Sequence, residues 1–189
     1  MDIELPYSLE ALIVVGSSAH GPEGHLGLPS TGAAGPAHDH LRSPRTAAEW
    51  LRARRELTCP AGEPSVAELR LLRGVRAALR ELVAGEAPRY RRRIERLLRA
   101  YAYRLDGRRL VPLETGWRRF AAGLLPALVE AEAHRAALRF CANPRCRWIF
   151  LDRSGSRARR WCDMSACGNR FKARRFRARR RAGQKSRRG

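Results

Sequence analysis

Four cysteines constrain this chain more than any other feature. Cys141 and Cys146 are separated by four residues, so are Cys162 and Cys167, and fifteen residues lie between the pairs. The chain opens on the acidic Met1-Asp2-Ile3-Glu4, and its apolar run Ala11–Val15 is too short for a signal-peptide core. Secretion by that route is not expected, so clustered thiols read as a metal site rather than a disulfide framework. Two pairs of thiols, each on a tight turn, supply the tetrahedral donor set that Zn²⁺ takes in structural sites. Asn143-Pro144 sits inside the first pair, where a turn must bring both sulfurs to one ion. The run RWIFLD then alternates as a strand, Ser154-Gly155-Ser156 turns, and ARRWC returns, which predicts a hairpin between the cysteine pairs. Trp148, Phe150, Trp161, Phe171 and Phe176 are the candidate miniature core. A module this small buries too little surface to fold alone, so metal binding stands in for a larger core. A catalytic metal centre is disfavoured, because such centres keep a coordination position open and usually employ His or carboxylate. The module has no His.

Charge points to the same segment. The chain carries a formal net charge of +21, and from Arg139 onward there are 18 Arg or Lys against two acids, Asp152 and Asp163. After Cys167 the sequence reads GNRFKARRFRARRRAGQKSRRG. Read as a helix, it places Arg170, Arg174, Arg177 and Arg181 on one face and Lys172, Arg175 and Arg179 on an adjacent one. Like charge at this density repels itself, and a polyanion relieves the repulsion while releasing counterions. Asn169, Arg170, Lys172, Arg174, Arg175, Arg177 and Arg179 are the candidate nucleic-acid contacts. Arg170 and Arg174 lie nearest the cysteines and are the first candidates to reach a base edge. Residues 183–189 read as a basic tail.

The first 138 residues read as a mostly helical domain. SLEALIVV at 8–15 is apolar without a decisive period, so strand and helix both remain open. Residues 16–44, rich in Gly, Pro, Ser and His, read as a long flexible loop. Thr46 with Glu49 has capping-box spacing and predicts a helix over about 47–57. Ser65 with Glu68 repeats the pattern ahead of an apolar stripe from Val66 to Val83, closed by Gly85. Tyr90, Ile94, Leu97, Leu98 and Tyr101 mark a third helix, and Asp106-Gly107 predicts a β-hairpin. Trp117–Phe140 reads as one long helix with Pro126 as a kink point. His38-x-His40 and the lone Cys59 carry no commitment to chemistry. No stretch approaches the roughly 20 apolar residues needed to span a bilayer. There is no phosphate-binding Gly loop, no nucleophile–His constellation and no pair of catalytic carboxylates, so an enzyme is not expected.

Cys167-Gly168-Asn169-Arg170, preceded by Trp161-Cys162 and Cys141-x4-Cys146 and followed by Lys172-x-Arg174-Arg175, resembles the CGNR zinc finger over residues 139–181. In that family the finger follows a helical domain known as ABATE, and its members are described as stress-induced transcription regulators. Residues 1–138 resemble that domain in length, position and helix pattern. The family's hydrophobic-Asp-Phe-Val-Asn-Thr segment is replaced here by LEALIVVGSS, which lacks the Asp and Asn. The resemblance implies a mainly α protein with a small β element: an ABATE-like domain over 1–138, a treble-clef-like finger with a basic helix over 139–182, and the tail. A ribbon-like finger is the alternative geometry.

The expected function is that of a cytoplasmic bacterial DNA-binding regulator using Zn²⁺. Its N-terminal domain is expected to sense a small-molecule effector or to mediate self-association as a homodimer. An RNA-binding or ribosome-associated zinc protein is the second reading. A zinc nuclease is disfavoured, because four thiolates already fill the ligand set.

Overall fold

A computed structural model describes residues 4–17, 39–143, 146 and 148–185, with side chains described as far as Arg180. The expected loop over 16–44 therefore lies largely outside the described residues, as do His38 and residues 186–189 of the basic tail.

Among the described residues, five helices build the body. They are α1 (Leu9–Gly16), α2 (Pro44–Arg52), α3 (Val66–Ala84), α4 (Ala87–Leu98) and α5 (Gly116–Ala133). The undecided segment at 8–15 is α1. Ser8 caps it by accepting from the Ala11 amide at 3.2 Å, and the helix is buried on nearly every side, against α3 and α5. Its β-branched run Ile13-Val14-Val15 has modest helix propensity, which tertiary burial overrides.

The second helix starts earlier than expected. Ser43, not Thr46, is its N-cap: Ser43 accepts from the Thr46 amide, and the Thr46 hydroxyl accepts in return from the Ser43 amide. Pro44 occupies the first helical position, where a missing N–H costs nothing. The helix ends at Arg52 rather than near residue 57. The Ser65–Glu68 capping box forms as the spacing predicts. Leu69, Leu72, Val75, Leu79 and Leu82 of α3 face the core, whereas Val66 in the first turn is exposed. In α4, Tyr90, Ile94 and Leu97 are buried.

Between α4 and α5 runs the expected hairpin, β1 (Tyr103–Asp106) antiparallel to β2 (Arg109–Pro112). Its two-residue turn is Gly107-Arg108, one residue later than the sequence suggested, with Gly107 at φ 60. That left-handed conformation suits glycine. Pro126 lies inside α5 without ending it. A proline has no N–H for the carbonyl four residues back, here that of Ala122. The Tyr103 hydroxyl donates to that carbonyl at 2.8 Å, so β1 satisfies the acceptor that Pro126 leaves free.

The expected long helix to Phe140 is corrected. α5 stops at Ala133, and Leu138–Phe140 is a strand, β3, antiparallel to β4 (Ile149–Leu151). The hairpin of the cysteine module is thus β3–β4, with the first cysteine pair in its loop, rather than RWIFLD folding onto ARRWC. Leu138 pairs with Leu151 and Phe140 with Ile149, and this non-local partnership outweighs the local helical pattern. A wide π turn over Met164–Gly168 leads into α6 (Asn169–Lys185).

The two parts share apolar packing. Leu138 and Ile149 belong to the same buried cluster as the helices. The buried Ser17 hydroxyl, just past α1, accepts from the Ile149 amide at 3.0 Å. Arg153 forms an ion pair with Glu10 of α1. Among the described residues no helix is long and apolar enough to cross a membrane.

Candidate metal centre and basic helix

The β3–β4 loop is a tight knuckle. The Cys141 amide donates to Trp148 O at 2.7 Å, and the Cys146 amide donates to Asn143 O at 2.8 Å. This closes a turn that sets both sulfurs on one side. The second pair is held by Asp163, whose carboxylate accepts from the Ala166 amide and the Ser165 hydroxyl, each at 2.7 Å. Its carbonyl accepts from the Cys167 amide at 3.0 Å. Gly168 has a steric reason to be glycine. A Cβ there would lie 2.4 Å from the Met164 sulfur and 3.2 Å from the Trp161 ring.

The four sulfurs converge. All lie within 4.8 Å of one another; Cys146 to Cys162 is 3.6 Å and Cys162 to Cys167 is 3.9 Å. Sulfurs at about 2.3 Å from one tetrahedral Zn²⁺ stand about 3.8 Å apart, so the cluster has the size that ion requires. Its electrostatics agree. The Cys146 and Cys162 thiols are raised, each chiefly by Cys141. Cys141 is lowered to about 6 by hydrogen bonds from Cys146 and then Cys162. Four thiolates this close need a cation, and a divalent ion removes their mutual repulsion.

Other groups touch the sulfurs. The Trp148 amide donates to Cys146 Sγ at 3.4 Å. The buried Asn143 donates through Nδ2 to Cys167 Sγ at 3.5 Å, and its Oδ1 accepts from Arg174 Nη2 at 3.0 Å. Asn143 therefore joins the cluster to the second turn of α6. From sequence, Asn143 is expected only in a turn. A buried amide between a ligand and a charged helix leaves no periodic trace in sequence. Phe150 is buried and Trp161 packs on Phe171 at 4.8 Å, but Phe176 is 61% exposed and leaves the expected core set.

Of the candidate nucleic-acid contacts, Asn169, Arg170, Lys172, Arg175, Arg177 and Arg179 are exposed on α6. Arg174 is half-buried and turned to Asn143. Away from the cluster, His40 stacks on Trp50 at 4.7 Å. Cys59 is half-buried, and its thiol is pushed up to about 11 by burial, which suits a filler rather than a nucleophile.

A metal-binding knuckle in a hairpin loop, followed by a second cysteine pair at the start of a helix, defines a treble-clef-like zinc finger. Residues 137–180 match the family model of the CGNR zinc finger. No curated protein matches the chain.

Proposed function

We propose that the protein is a DNA-binding transcriptional regulator, working in the cytoplasm as a binding protein rather than an enzyme. The observation that carries this reading is α6 itself. Its first turn is tied to the metal centre through Cys167, and from Asn169 to Arg180 it holds seven Arg or Lys and no acid. Cys141, Cys146, Cys162 and Cys167 would hold Zn²⁺, which supplies structural cross-linking at the helix start. The ordered helix then presents Arg170, Lys172, Arg175, Arg177 and Arg179 to phosphates, and Asn169 lies at its opening.

Arg174 takes a different role from the one its sequence position suggested. Its guanidinium is engaged with Asn143, so base reading falls to the exposed Arg170 and its neighbours, while Arg174 holds the helix at its angle. Residues 1–138 act as the ABATE-like partner domain that the family resemblance implies, by sensing an effector or forming a homodimer. A cavity of about 550 Å³, lined in part by Tyr7, Cys59, Arg119 and Phe120, offers such an effector room.

Selection of bound fragments from random duplex DNA, with structured RNA as competitor, tests the reading. A duplex consensus that survives RNA is the expected result. Preferential recovery of RNA would replace it with the RNA-binding reading, and a flat profile with weak generic binding.

A further inference from the structure

A second concentration of positive charge lies off α6, where the finger meets the helical body. An open concavity of about 350 Å³ is lined by Arg139, Arg157, Arg159 and Arg160, with Val83 and Phe140 among its apolar walls. Among the described residues no Asp or Glu lines it.

The four arginines are not equivalent. Arg159 donates to the carbonyls of Trp161 and Cys162 and lies over the Phe150 ring at 5.1 Å, so it braces the finger. Arg139 pairs with Asp152 at 3.6 Å. Arg160 rests on the face of Trp161 at 5.4 Å, a contact that leaves its N–H edge free of any carboxylate among the described residues. The Arg157 guanidinium has no partner among the described residues.

The loop that carries Arg157, Arg159 and Arg160 is tied to Asp152. Asp152, only 2% exposed, accepts from the Ser154 amide at 3.0 Å, the Ser154 hydroxyl at 2.6 Å and the Arg159 amide at 3.0 Å. Its charge is thus consumed inside the loop. Arg157 adopts φ 47, and it is the one positive-φ residue other than glycine among the described residues. A long side chain there costs strain that glycine would avoid. The loop holds an arginine where glycine folds better, and that arginine has no partner among the described residues.

The geometry points to a phosphoryl-binding site in this concavity, formed by Arg157 and Arg160. Guanidinium forks match phosphoryl oxygens in two parallel hydrogen bonds. The occupant is a backbone phosphate of the nucleic acid bound along α6. Ala142 lines the concavity and its neighbour Asn143 holds Arg174, while Arg160 rests on Trp161 and Trp161 packs on Phe171 of α6. One backbone can therefore run from the helix onto the loop. The nucleic-acid source rests on the reading of α6 above; the phosphoryl site itself does not.

The test uses the full zinc-loaded chain and two variants, Arg157→Gly and Arg160→Gln. Thermal melting comes first, because Arg157→Gly should melt at or above the wild-type temperature. That result separates lost binding from lost fold. Pyrophosphate is then titrated and followed by NMR shifts, and a mixed-sequence duplex is titrated across a salt series. Each variant should lower pyrophosphate affinity about tenfold and reduce the salt slope for duplex by about one unit. Wild-type binding of pyrophosphate without duplex, lost in both variants, keeps the site, gives it to a small phosphorylated molecule and removes the reading of α6. Duplex binding with slope and pyrophosphate affinity unchanged in both variants overturns the site while leaving α6 intact. A wild type that binds neither probe overturns both.

Discussion

The helical body and the cysteine module differ in what fills their interiors. In the body the buried side chains are Leu, Ala, Val and aromatics contributed by all five helices, with Leu12, Leu51, Leu72, Leu79, Leu124 and Leu128 fully enclosed. In the module the apolar cluster of its own is only Cys141, Cys146, Cys167 and Phe150. The body is stabilised by apolar area removed from water, a sum of many small contributions. The module concentrates its stability in four donor atoms. A region of the first kind loses stability gradually as residues are changed; a region of the second kind fails at a single ligand.

Loss of the metal should have the largest effect. Zn²⁺ binding to small fingers contributes on the order of 10–16 kcal/mol at neutral pH. Cys162→Ser should remove stoichiometric zinc and unfold residues 141–180, while most helical signal from α1, α3, α4 and α5 survives. Metal analysis and far-ultraviolet circular dichroism measure the two halves of that statement. One zinc per chain retained in the variant would refute the ligand set.

The boundary between the regions is sharper in function than in packing. Ile149 is a module residue by sequence, yet it is fully buried in the helical cluster, and its amide is bound by Ser17. Ile149→Ala should therefore destabilise both parts together by about 2–5 kcal/mol. Calorimetry should record one transition moved to lower temperature. If the body melts unchanged and only zinc affinity suffers, the shared packing has no energetic weight. The same contact bears on residues 1–138 as a separate unit: that fragment should fold, but melt below the full chain because Ser17 and α1 lose their cover.

Smaller again is the effect of the amide between metal and helix. Asn143→Ala removes the donor to Cys167 and the acceptor for Arg174. Because Arg174 is only half-buried, water replaces part of what is lost, and about 1 kcal/mol is expected. A faster zinc transfer to a chelator, with faster amide exchange in the first turns of α6, would match the proposed link. Unchanged exchange in α6 would show that Arg174 is not held through Asn143.

The comparison also explains what the sequence made legible. The cysteine spacing, the Ser65–Glu68 box, the stripe of α3 and the hairpin at Gly107 are local patterns, and each appears in the fold. Features decided by distant partners were not legible. α1 is enclosed on nearly every side, so its apolar run has no period to read. Leu138-Arg139-Phe140 continues the pattern of α5 and becomes a strand through pairing with Ile149–Leu151. At the metal centre the four cysteines were legible as two equally spaced pairs, and the fold brings their sulfurs within 4.8 Å of one another. Asn143 and Asp152 were not, because a buried polar group is recognised only by the partners around it.

Asp152 provides the smallest effect and the most selective test. Its carboxyl is held below the ordinary carboxylate range, first by the Ser154 side chain, then by the Ser154 and Arg159 amides and by Arg139, against an opposing effect of burial. A depressed native value means that the ionised form stabilises the fold. That contribution is complete above the ordinary carboxylate range, near pH 4, and is lost as pH falls through the lower native value. The loop over 153–160 should therefore stay ordered at mildly acidic pH and loosen only in strong acid. Protonation of the zinc thiolates also releases metal in acid, so pH alone does not isolate the carboxylate. Asp152→Asn does. At neutral pH it removes the charge, keeps one acceptor and leaves every cysteine in place. Faster hydrogen exchange at Ser154 and Arg159, with zinc content unchanged, is the expected signature. If exchange at both amides is unaltered, the carboxylate is not what fixes the loop, and the left-handed turn at Arg157 must be maintained by the strand pairing alone.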